Sequence, residues 1–331
     1  MAYTTIDDPS IYFNTILYTG DGNSTQAISG VGHQPDFVWI KRRDASGNHE
    51  LTDSVRGINK TLVTNSSNAE DTGTNKLQSF DSDGFTVGDS STQNASGGTY
   101  VSFNWKKNAT AGFDIVTYTG NGSARTISHS LSAVPNWMIV FNRDSAMARS
   151  VYHHKIASDP ATDRIMLNET SAKEDDSGIW NDTVPTSSVF SIGNSSSTNT
   201  NTDNYVIYLF SEKKGFSKFG SYTGNGNADG AFVYTGFRPA WIMIKKSSGT
   251  EDWSMYDSKR NVNGSTNTLP LLANFNDGES GLTGKNMDIL SNGVKMKTSN
   301  GELNLSGETY IYMAFAESPF VNSNGVPTNA R

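Results

Sequence analysis

"YTGDG" at residues 18–22 returns as "YTGNG" at 118–122 and again at 222–226. The tyrosines that open these copies are 100 and 104 residues apart: Tyr18, Tyr118 and Tyr222. A proline before an apolar run repeats with the same spacings, at Pro35, Pro135 and Pro239. A tyrosine that opens the last apolar segment of each copy repeats every 105 residues, at Tyr100, Tyr205 and Tyr310. Three landmarks in phase indicate that one structural unit occurs three times.

The landmarks also set the boundaries of the units. They predict a first unit at 13–112, a second at 113–215 and a third at 216–320. A leader of residues 1–12 precedes the first unit, and a tail of residues 321–331 follows the third.

Each unit is predicted to be all-β, because its apolar segments are short, rich in aromatic or β-branched residues, and bounded by Gly, Asn, Asp and Pro. The segment after each proline is apolar at nearly every position, which predicts a strand buried on both faces. Proline suits the position just before such a strand. The predicted fold is three tandem antiparallel β-sandwiches, jelly-roll-like, of about 100 residues each.

The last segment of each unit alternates, so every second side chain shares one face, which we expect to be the core. These residues are Val101, Phe103 and Trp105, then Val206, Tyr208 and Phe210, then Ile311, Met313 and Phe315. In the second unit the opposite face carries Ile207 and Leu209, so we expect that face to be covered as well, by a neighbouring unit or by another chain. The repeated Asp-Gly or Asn-Gly dipeptide predicts a tight turn.

The composition limits the class of function. The 331 residues carry a formal net charge of -7, which argues against binding to nucleic acid. "KRR" at 41–43 is interpreted as a solvated strand end. No apolar run approaches membrane-spanning length and no secretory signal opens the chain, so a soluble protein made in a cytoplasm is expected. The absence of cysteine excludes disulfides and thiolate chemistry.

Metal and cofactor sites are not expected. "FDSDGFTVG" at 80–88 places Asp81 and Asp83 two residues apart, as in calcium loops, but the full loop is missing and a hairpin is favoured. The five histidines show no metal-binding spacing. Since His153 and His154 are adjacent, they are predicted to face opposite sides of a strand. The five are His33, His49, His129, His153 and His154.

Catalysis is not expected either. No GxSxG motif occurs, and the glycines of "GDGNST" and "GNGSAR" lack the Lys-Ser/Thr of a phosphate-binding loop. "GNSSSTNTNTDN" at 193–204 is interpreted as a long solvated loop, and "KEDDSG" at 173–178 as a charged loop.

The combination of "YTGDGNSTQAI", "QPDFVWIKRR", "LTDSVRG", "SFDSDGFTVG" and "TYVSFNWK" across 18–106 resembles a module of structural proteins in marine tailed bacteriophages, often encoded among tail or fibre genes. The second and third units look like diverged copies, so the resemblance covers 13–320. "LTDSVRG" departs to "SVYHHKI" in the second unit and "SMYDSKR" in the third. The leader resembles the start of such proteins and suits docking onto another component. The family offers no catalytic residues to transfer.

The resemblance implies a virion protein that is made in the bacterial cytoplasm, with other virion proteins and copies of itself as partners. The favoured interpretation is a tail fibre or adhesin subunit whose polar loops and exposed aromatic residues contact a host-surface glycan. The alternative is an architectural protein that decorates the capsid or connects the tail, in which the three units imitate a trimer. A glycan depolymerase is a third option and would need carboxylates clustered in a groove.

Overall fold

The three units repeat one order of strands. The computed structural model describes residues 3–260, 269–279 and 284–328, so residues 1–2 of the expected leader and 329–331 of the expected tail lie outside it. Within the described residues the first unit contains β1 (Phe13–Thr19), β2 (Gln26–Ser29), β3 (Phe37–Arg42), β4 (Glu50–Asp53), β5 (Leu62–Val63), β6 (Leu77–Asp81), β7 (Gly84–Val87) and β8 (Thr99–Trp105). The second contains β9 (Phe113–Thr119), β10 (Arg125–Ser128), β11 (Trp137–Asn142), β12 (Ser150–His153), β13 (Asp163–Met166), β14 (Glu174–Asp175), β15 (Val189–Ile192) and β16 (Asn204–Phe210). The third contains β17 (Ser217–Thr223), β18 (Phe232–Tyr234), β19 (Phe237–Lys246), β20 (Trp253–Asp257), β21 (Leu271–Leu272), β22 (Met287–Leu290), β23 (Gly293–Met296) and β24 (Thr309–Pro319).

Helices are few and short in the described part of the chain. They are a 3-10 turn at Pro9–Ile11 and the four-residue helices α1 (Ser91–Asn94), α2 (Ser177–Trp180), α3 (Ser196–Asn199) and α4 (Gly301–Asn304). Helices α1, α3 and α4 precede the last strand of their units at matching positions. Helix α2 has no counterpart among the described residues of the other two units. Since α3 lies within 193–204, and Thr198 and Asn199 are fully buried, the interpretation of that stretch as a solvated loop is wrong.

Each unit has one large antiparallel sheet. The strand orders are β1-β8-β3-β4-β5, β14-β13-β12-β11-β16-β9 and β17-β24-β19-β20-β21. The strand after each proline is therefore interior to its sheet, and β11 is buried at all six positions, as predicted. Pro35 and Pro135 precede their strands. Pro239 instead lies within β19 at a bulge, where the register with β24 shifts on both sides of it, because a bulge tolerates the missing N–H.

A smaller sheet covers one face of each large sheet. The orders are β2-β7-β6, β10-β15 and β18-β23-β22. Each pair of layers encloses its own apolar cluster, which in the second unit includes Ile207, Leu209 and Phe190. The outer face of β16 is thus covered, as expected, but by the unit's own small sheet and not by a neighbouring unit or another chain. The all-β antiparallel fold is confirmed, and the two layers of each unit fit a sandwich.

The other faces of the three large sheets meet in a single core. All nine residues that the alternation of the closing strands assigned to the core belong to it. Trp105, Phe210 and Phe315 occupy equivalent positions, and their ring centroids form a triangle with sides of 6.3, 5.6 and 5.6 Å. The units are therefore arranged about an approximate threefold axis. Tandem sandwiches are expected to have one core each, whereas here each unit has a small core of its own and a share of a common one.

Equivalent backbone hydrogen bonds join the units head to tail. Glu70 N donates to Arg143 O at 2.8 Å, from the first unit to the second. Lys173 N donates to Ser247 O at 2.9 Å, from the second to the third. Glu279 N donates to Arg43 O at 2.8 Å, from the third back to the first. The three contacts are of one type and close a circle, as in a symmetric oligomer.

The interpretation of "KRR" as a solvated strand end is wrong for Lys41. This side chain is fully buried, and its Nζ donates to the carbonyls of Arg42 (2.9 Å) and Asn276 (3.1 Å). Burial lowers the pKa of Lys41 to about 8. Lys245, at the matching position of the third unit, reaches Thr170 of the second unit in the same way, at 3.1 Å. The lysines therefore help to join neighbouring units.

The described part of the leader packs against the third unit. Ile6 is buried in the common core, and the Tyr3 hydroxyl donates to the Gly236 carbonyl at 2.7 Å. The Asp7 carboxylate accepts from Ser323 N at 2.7 Å. Residues 3–12 therefore join the first unit to the third, in addition to any docking role.

Candidate functional site

The tyrosine landmarks form the same stacked pair in each unit. Tyr18 pairs directly with Tyr100 across two strands, Tyr118 with Tyr205, and Tyr222 with Tyr310. The ring centroids of the three pairs are 5.1, 5.1 and 4.9 Å apart. In the second unit the hydroxyl of Tyr118 donates to the Thr198 carbonyl and that of Tyr205 to the Ser196 carbonyl, both at 2.8 Å. The pairs therefore hold a short helix against the sheet.

In each unit the side chain of a buried asparagine hydrogen-bonds to the backbone of the repeated turn. Asn199, at the end of α3, accepts from Asn121 N at 2.9 Å and donates to the carbonyls of Ser123 and Gly193, both at 2.7 Å. Asn94 and Asn304 make the corresponding bonds in the other units. The three asparagines are 105 residues apart, so their repetition was a signal that the sequence interpretation missed.

The repeated turn connects the large sheet of its unit to the small one. In the second unit it leads from β9 in the large sheet to β10 in the small one. A Cβ at Gly120 would collide with the Thr200 carbonyl oxygen, and Gly122 has φ +72°, so both glycines are required. This accounts for the three copies of the turn as a structural device.

The candidate metal residues serve a hairpin. Asp81 and Gly84 are paired where β6 meets β7. Asp81 accepts from the hydroxyls of Ser79 (2.7 Å) and Thr86 (2.8 Å). Asp83 accepts from the backbone N–H groups of Gly30 (3.1 Å) and Gly32 (2.6 Å). Among residues 3–260, 269–279 and 284–328, no three His, Cys, Asp or Glu side chains come together as metal ligands.

The two adjacent histidines do not face opposite sides as predicted, because β12 ends at His153. Their ring centroids are 5.5 Å apart. Each Nε2 meets a backbone carbonyl of the third unit, His153 at Tyr312 (3.1 Å) and His154 at Phe219 (2.7 Å). Burial lowers the pKa of His153 to about 3. These side chains therefore join two units as neutral imidazoles.

The third unit exposes an aromatic pair on an edge strand. Phe232 and Tyr234 lie on the outer face of β18 and are 45% and 52% exposed, while Val233 between them is buried. Strand β18 is at the edge of its small sheet. A Cβ at Gly293 would lie 3.0 Å from the Phe232 ring, so this ring lies across Gly293 of the neighbouring strand. The sheet therefore holds the ring in a defined position.

The matching strands of the other units lack this pair. Ile28 pairs with Phe85, Ile127 with Phe190 and Val233 with Val294, which fixes the correspondence. The positions of Phe232 and Tyr234 are taken by Ala27 and Ser29 in the first unit and by Thr126 and Ser128 in the second. The central residue is apolar in all three units, buried as Ile28 and Val233 and partly buried as Ile127. Since the backbone is shared as well, the fold does not require aromatic side chains here.

Tyr3 extends the aromatic pair. Its hydroxyl lies at Gly236, and Lys214 Nζ lies 4.5 Å from its ring centroid. Burial and the neighbouring Tyr234 hydroxyl raise the pKa of Tyr3 to about 12. We call Tyr3, Phe232 and Tyr234 the aromatic face. It combines apolar ring surface with hydroxyl groups, the combination that stacks on and hydrogen-bonds to sugars.

The comparisons with known proteins identify one family. Its model, described as "Domain of unknown function (DUF7483)", matches residues 8–319, which is nearly the whole chain and includes all three units. No curated protein matches the chain. In the described residues, none of the helices has the length and apolar character that crossing a membrane requires.

Proposed function

The chain belongs to the DUF7483 domain family, and we propose that it is a structural protein of a tailed bacteriophage, displayed on the particle as a tail fibre or adhesin subunit that holds a host-surface glycan. The proposal combines the resemblance of the three units to phage modules with one structural observation. That observation is the exposure of Phe232 and Tyr234 at positions that are Ala and Ser, or Thr and Ser, in the other units.

The exposed rings of Phe232 and Tyr234 contribute less to folding than buried rings would. An aromatic ring contributes to folding through the apolar area that it buries, and Phe232 and Tyr234 leave about half of theirs in water. A flat apolar surface edged by hydroxyls fits the C–H face and the hydroxyl edge of a sugar ring. Because the sheet already fixes Phe232 across Gly293, little conformational entropy is lost on binding.

The role proposed is binding without catalysis. The particle supplies other virion proteins and further copies of the chain as partners, and the glycan is contacted from the aromatic face. No nucleic acid or cofactor has a part in it.

The test is binding of the purified chain to an array of bacterial capsular polysaccharides and lipopolysaccharide O-antigens. The double variant Phe232→Ala/Tyr234→Ser gives β18 the residues of β2, so the fold is expected to remain intact. Binding to the recognised glycan should fall at least tenfold. The matched control is Phe275→Ala, which removes another exposed phenylalanine (48% exposed). Equal binding by the double variant and the wild type would refute the proposal.

A capsid or tail-connecting role is the second candidate, because the closed circle of units has the approximate threefold symmetry of a lattice position. Cryo-electron microscopy of the intact particle separates the two roles. Density for the chain at a tail fibre supports the first, and density at many capsid lattice positions supports the second. Release of oligosaccharide from a bound polysaccharide would instead support a depolymerase.

A further inference from the structure

The second unit contains a polar cavity beside its copy of the repeated turn. Its volume is about 480 Å³, within the few-hundred to thousand Å³ range of small-molecule sites. The lining includes Gly122, Ser123, Ser177, Asn181, Asp182 and Asn194. The aromatic face is on the small sheet of the third unit, so the two surfaces belong to different units.

The cavity lies at the place where the second unit departs from the other two. In those units the small sheet has a third strand, β6 or β22, which forms a hairpin with the next strand. In the described residues the second unit has instead helix α2 and a small sheet of two strands. The side chains of Ile179 and Trp180 are fully buried and hold α2 in place. Asn181 and Asp182 follow the helix with φ values of +54° and +45°, and both are exposed.

The walls of the cavity are held in place by the chain itself. Asn199 donates to the carbonyls of Ser123, on one wall, and Gly193, on the other, at 2.7 Å each. Gly193 packs so closely on Gly178 that a Cβ there would collide with the Gly178 carbonyl. Gly193 N also donates to Ile179 O at 3.0 Å. The cavity is therefore preformed, which lowers the entropic cost of filling it.

The polar side chains at the cavity are not used by the fold. Within the described residues, the side chains of Asn181, Asp182 and Asn194 make no hydrogen bond or ion pair with the protein. The amides can donate and accept, and the carboxylate accepts from paired hydroxyls. The lining includes no Lys or Arg, so an anion would meet only the charge of Asp182. These features select an uncharged ligand with many hydroxyls.

We propose that this cavity is a second binding site, for one neutral pyranose ring of a saccharide. Asp182 and Asn194 hydrogen-bond to its hydroxyls, and the glycine backbone of the lining leaves room for the ring. The site does not depend on the aromatic face, and its occupation does not require the chain to be part of a particle.

The test is a titration of the full-length, 15N-labelled protein with the methyl glycosides of glucose, galactose, mannose and rhamnose, followed through amide shifts. We expect saturable shifts of Gly178 and Gly193 with at least one glycoside, and weaker binding of the glucuronide. Asp182→Ala/Asn194→Ala should weaken binding at least tenfold. The melting temperature should fall only slightly, because both side chains are exposed but alanine adopts the φ of +45° at residue 182 less readily than aspartate.

The variant Phe232→Ala/Tyr234→Ser serves as the control. It should lose polysaccharide binding on the array yet keep the glycoside shifts, so failure of the aromatic face and failure of the cavity give different results. If none of the glycosides shifts Gly178 or Gly193, or if Asp182→Ala/Asn194→Ala binds as the wild type does, the proposed site is refuted.

Discussion

Glu70 of the first unit accepts hydrogen bonds from Nε and Nη2 of Arg143 in the second unit, both at 2.9 Å. Its carboxylate also accepts from Arg56 Nη1 at 2.8 Å, and the side chain of Arg56 is fully buried. Burial would raise the pKa of Glu70, but the two guanidinium groups outweigh it and hold that pKa below its usual value. The contact between the third and first units repeats this arrangement, with Glu279 between Arg43 and Arg260.

Glu70→Gln should therefore destabilise the protein by about 2 kcal/mol, because it removes the carboxylate that the Arg56 and Arg143 guanidinium groups share and leaves Asp53 as the remaining counter-charge of the buried Arg56. The free energy of unfolding from urea titration measures the effect. The control is Glu212→Gln, which removes an ion pair to Lys218 with both side chains 34% exposed; a loss below about 1 kcal/mol is expected there. Similar losses in the two variants would contradict the prediction.

Asn199→Ala should cost about 2–3 kcal/mol, since it leaves the buried Gly193 carbonyl, and the partly buried Asn121 N–H and Ser123 carbonyl, without their partner. The amide of Asn121 should also exchange its hydrogen faster, because its acceptor is Asn199 Oδ1. Hydrogen exchange followed by mass spectrometry and urea unfolding measure both effects. Asn201→Ala, at an exposed position two residues later, is the control and should change neither. Slow exchange at Asn121 in the variant would contradict the assigned role.

The buried, neutral side chain of His153 should make the free energy of unfolding depend on pH. Its Nε2 donates to the Tyr312 carbonyl and its Nδ1 accepts from Lys155 N at 3.0 Å, so both nitrogens are used by the neutral ring. Burial lowers the folded-state pKa to about 3, below the value of about 6.5 in the unfolded chain. The unfolded state then binds more protons between these values, so stability is full above pH 6.5 and falls as the pH decreases toward 3.

His153→Gln should reduce the slope of unfolding free energy against pH by up to about 1.4 kcal/mol per pH unit in this window. Urea unfolding at pH 7.5, 6.0 and 5.0 measures it. Because the comparison is with the wild type, the other titrating groups cancel. Parallel pH profiles for the two proteins would show that His153 is not held neutral.

The common core predicts that the three units unfold together. A fragment of residues 113–215 would expose the inner face of its large sheet, including Trp137, Phe141 and Phe210. It should not fold as a monomer, whereas the full chain should give one unfolding transition with the same midpoint by far-ultraviolet circular dichroism and tryptophan fluorescence. Cooperative unfolding of the monomeric fragment would contradict this prediction.

The strands and their buried faces could be predicted from the sequence because side chains alternate along a strand. Val101, Phe103 and Trp105 were assigned to the core on that basis, and all three are there. Alternation shows that a face is buried, but it does not show which other face covers it. The common core was therefore not predictable, and neither was the burial of Lys41, whose acceptor Asn276 is 235 residues away.

The surfaces proposed to bind ligands were less accessible from the sequence. The letters "FVY" at 232–234 show an aromatic pair, but their significance depends on alignment with Ala27 and Ser29, which the strand register provides. The cavity of the second unit depends on α2, and its sequence "SGIW" is too short for a periodic pattern. The Asn199 role was predictable in principle, because its repeats occur in phase with the tyrosines.

The covalent link between three similar bodies has a consequence for valency. A trimer of identical chains must show every surface feature three times, whereas this chain varies each copy separately and carries the residues Phe232 and Tyr234 only once per threefold body. Each molecule therefore offers a single aromatic contact of this kind, and avidity can arise only from the number of molecules that a larger assembly presents side by side.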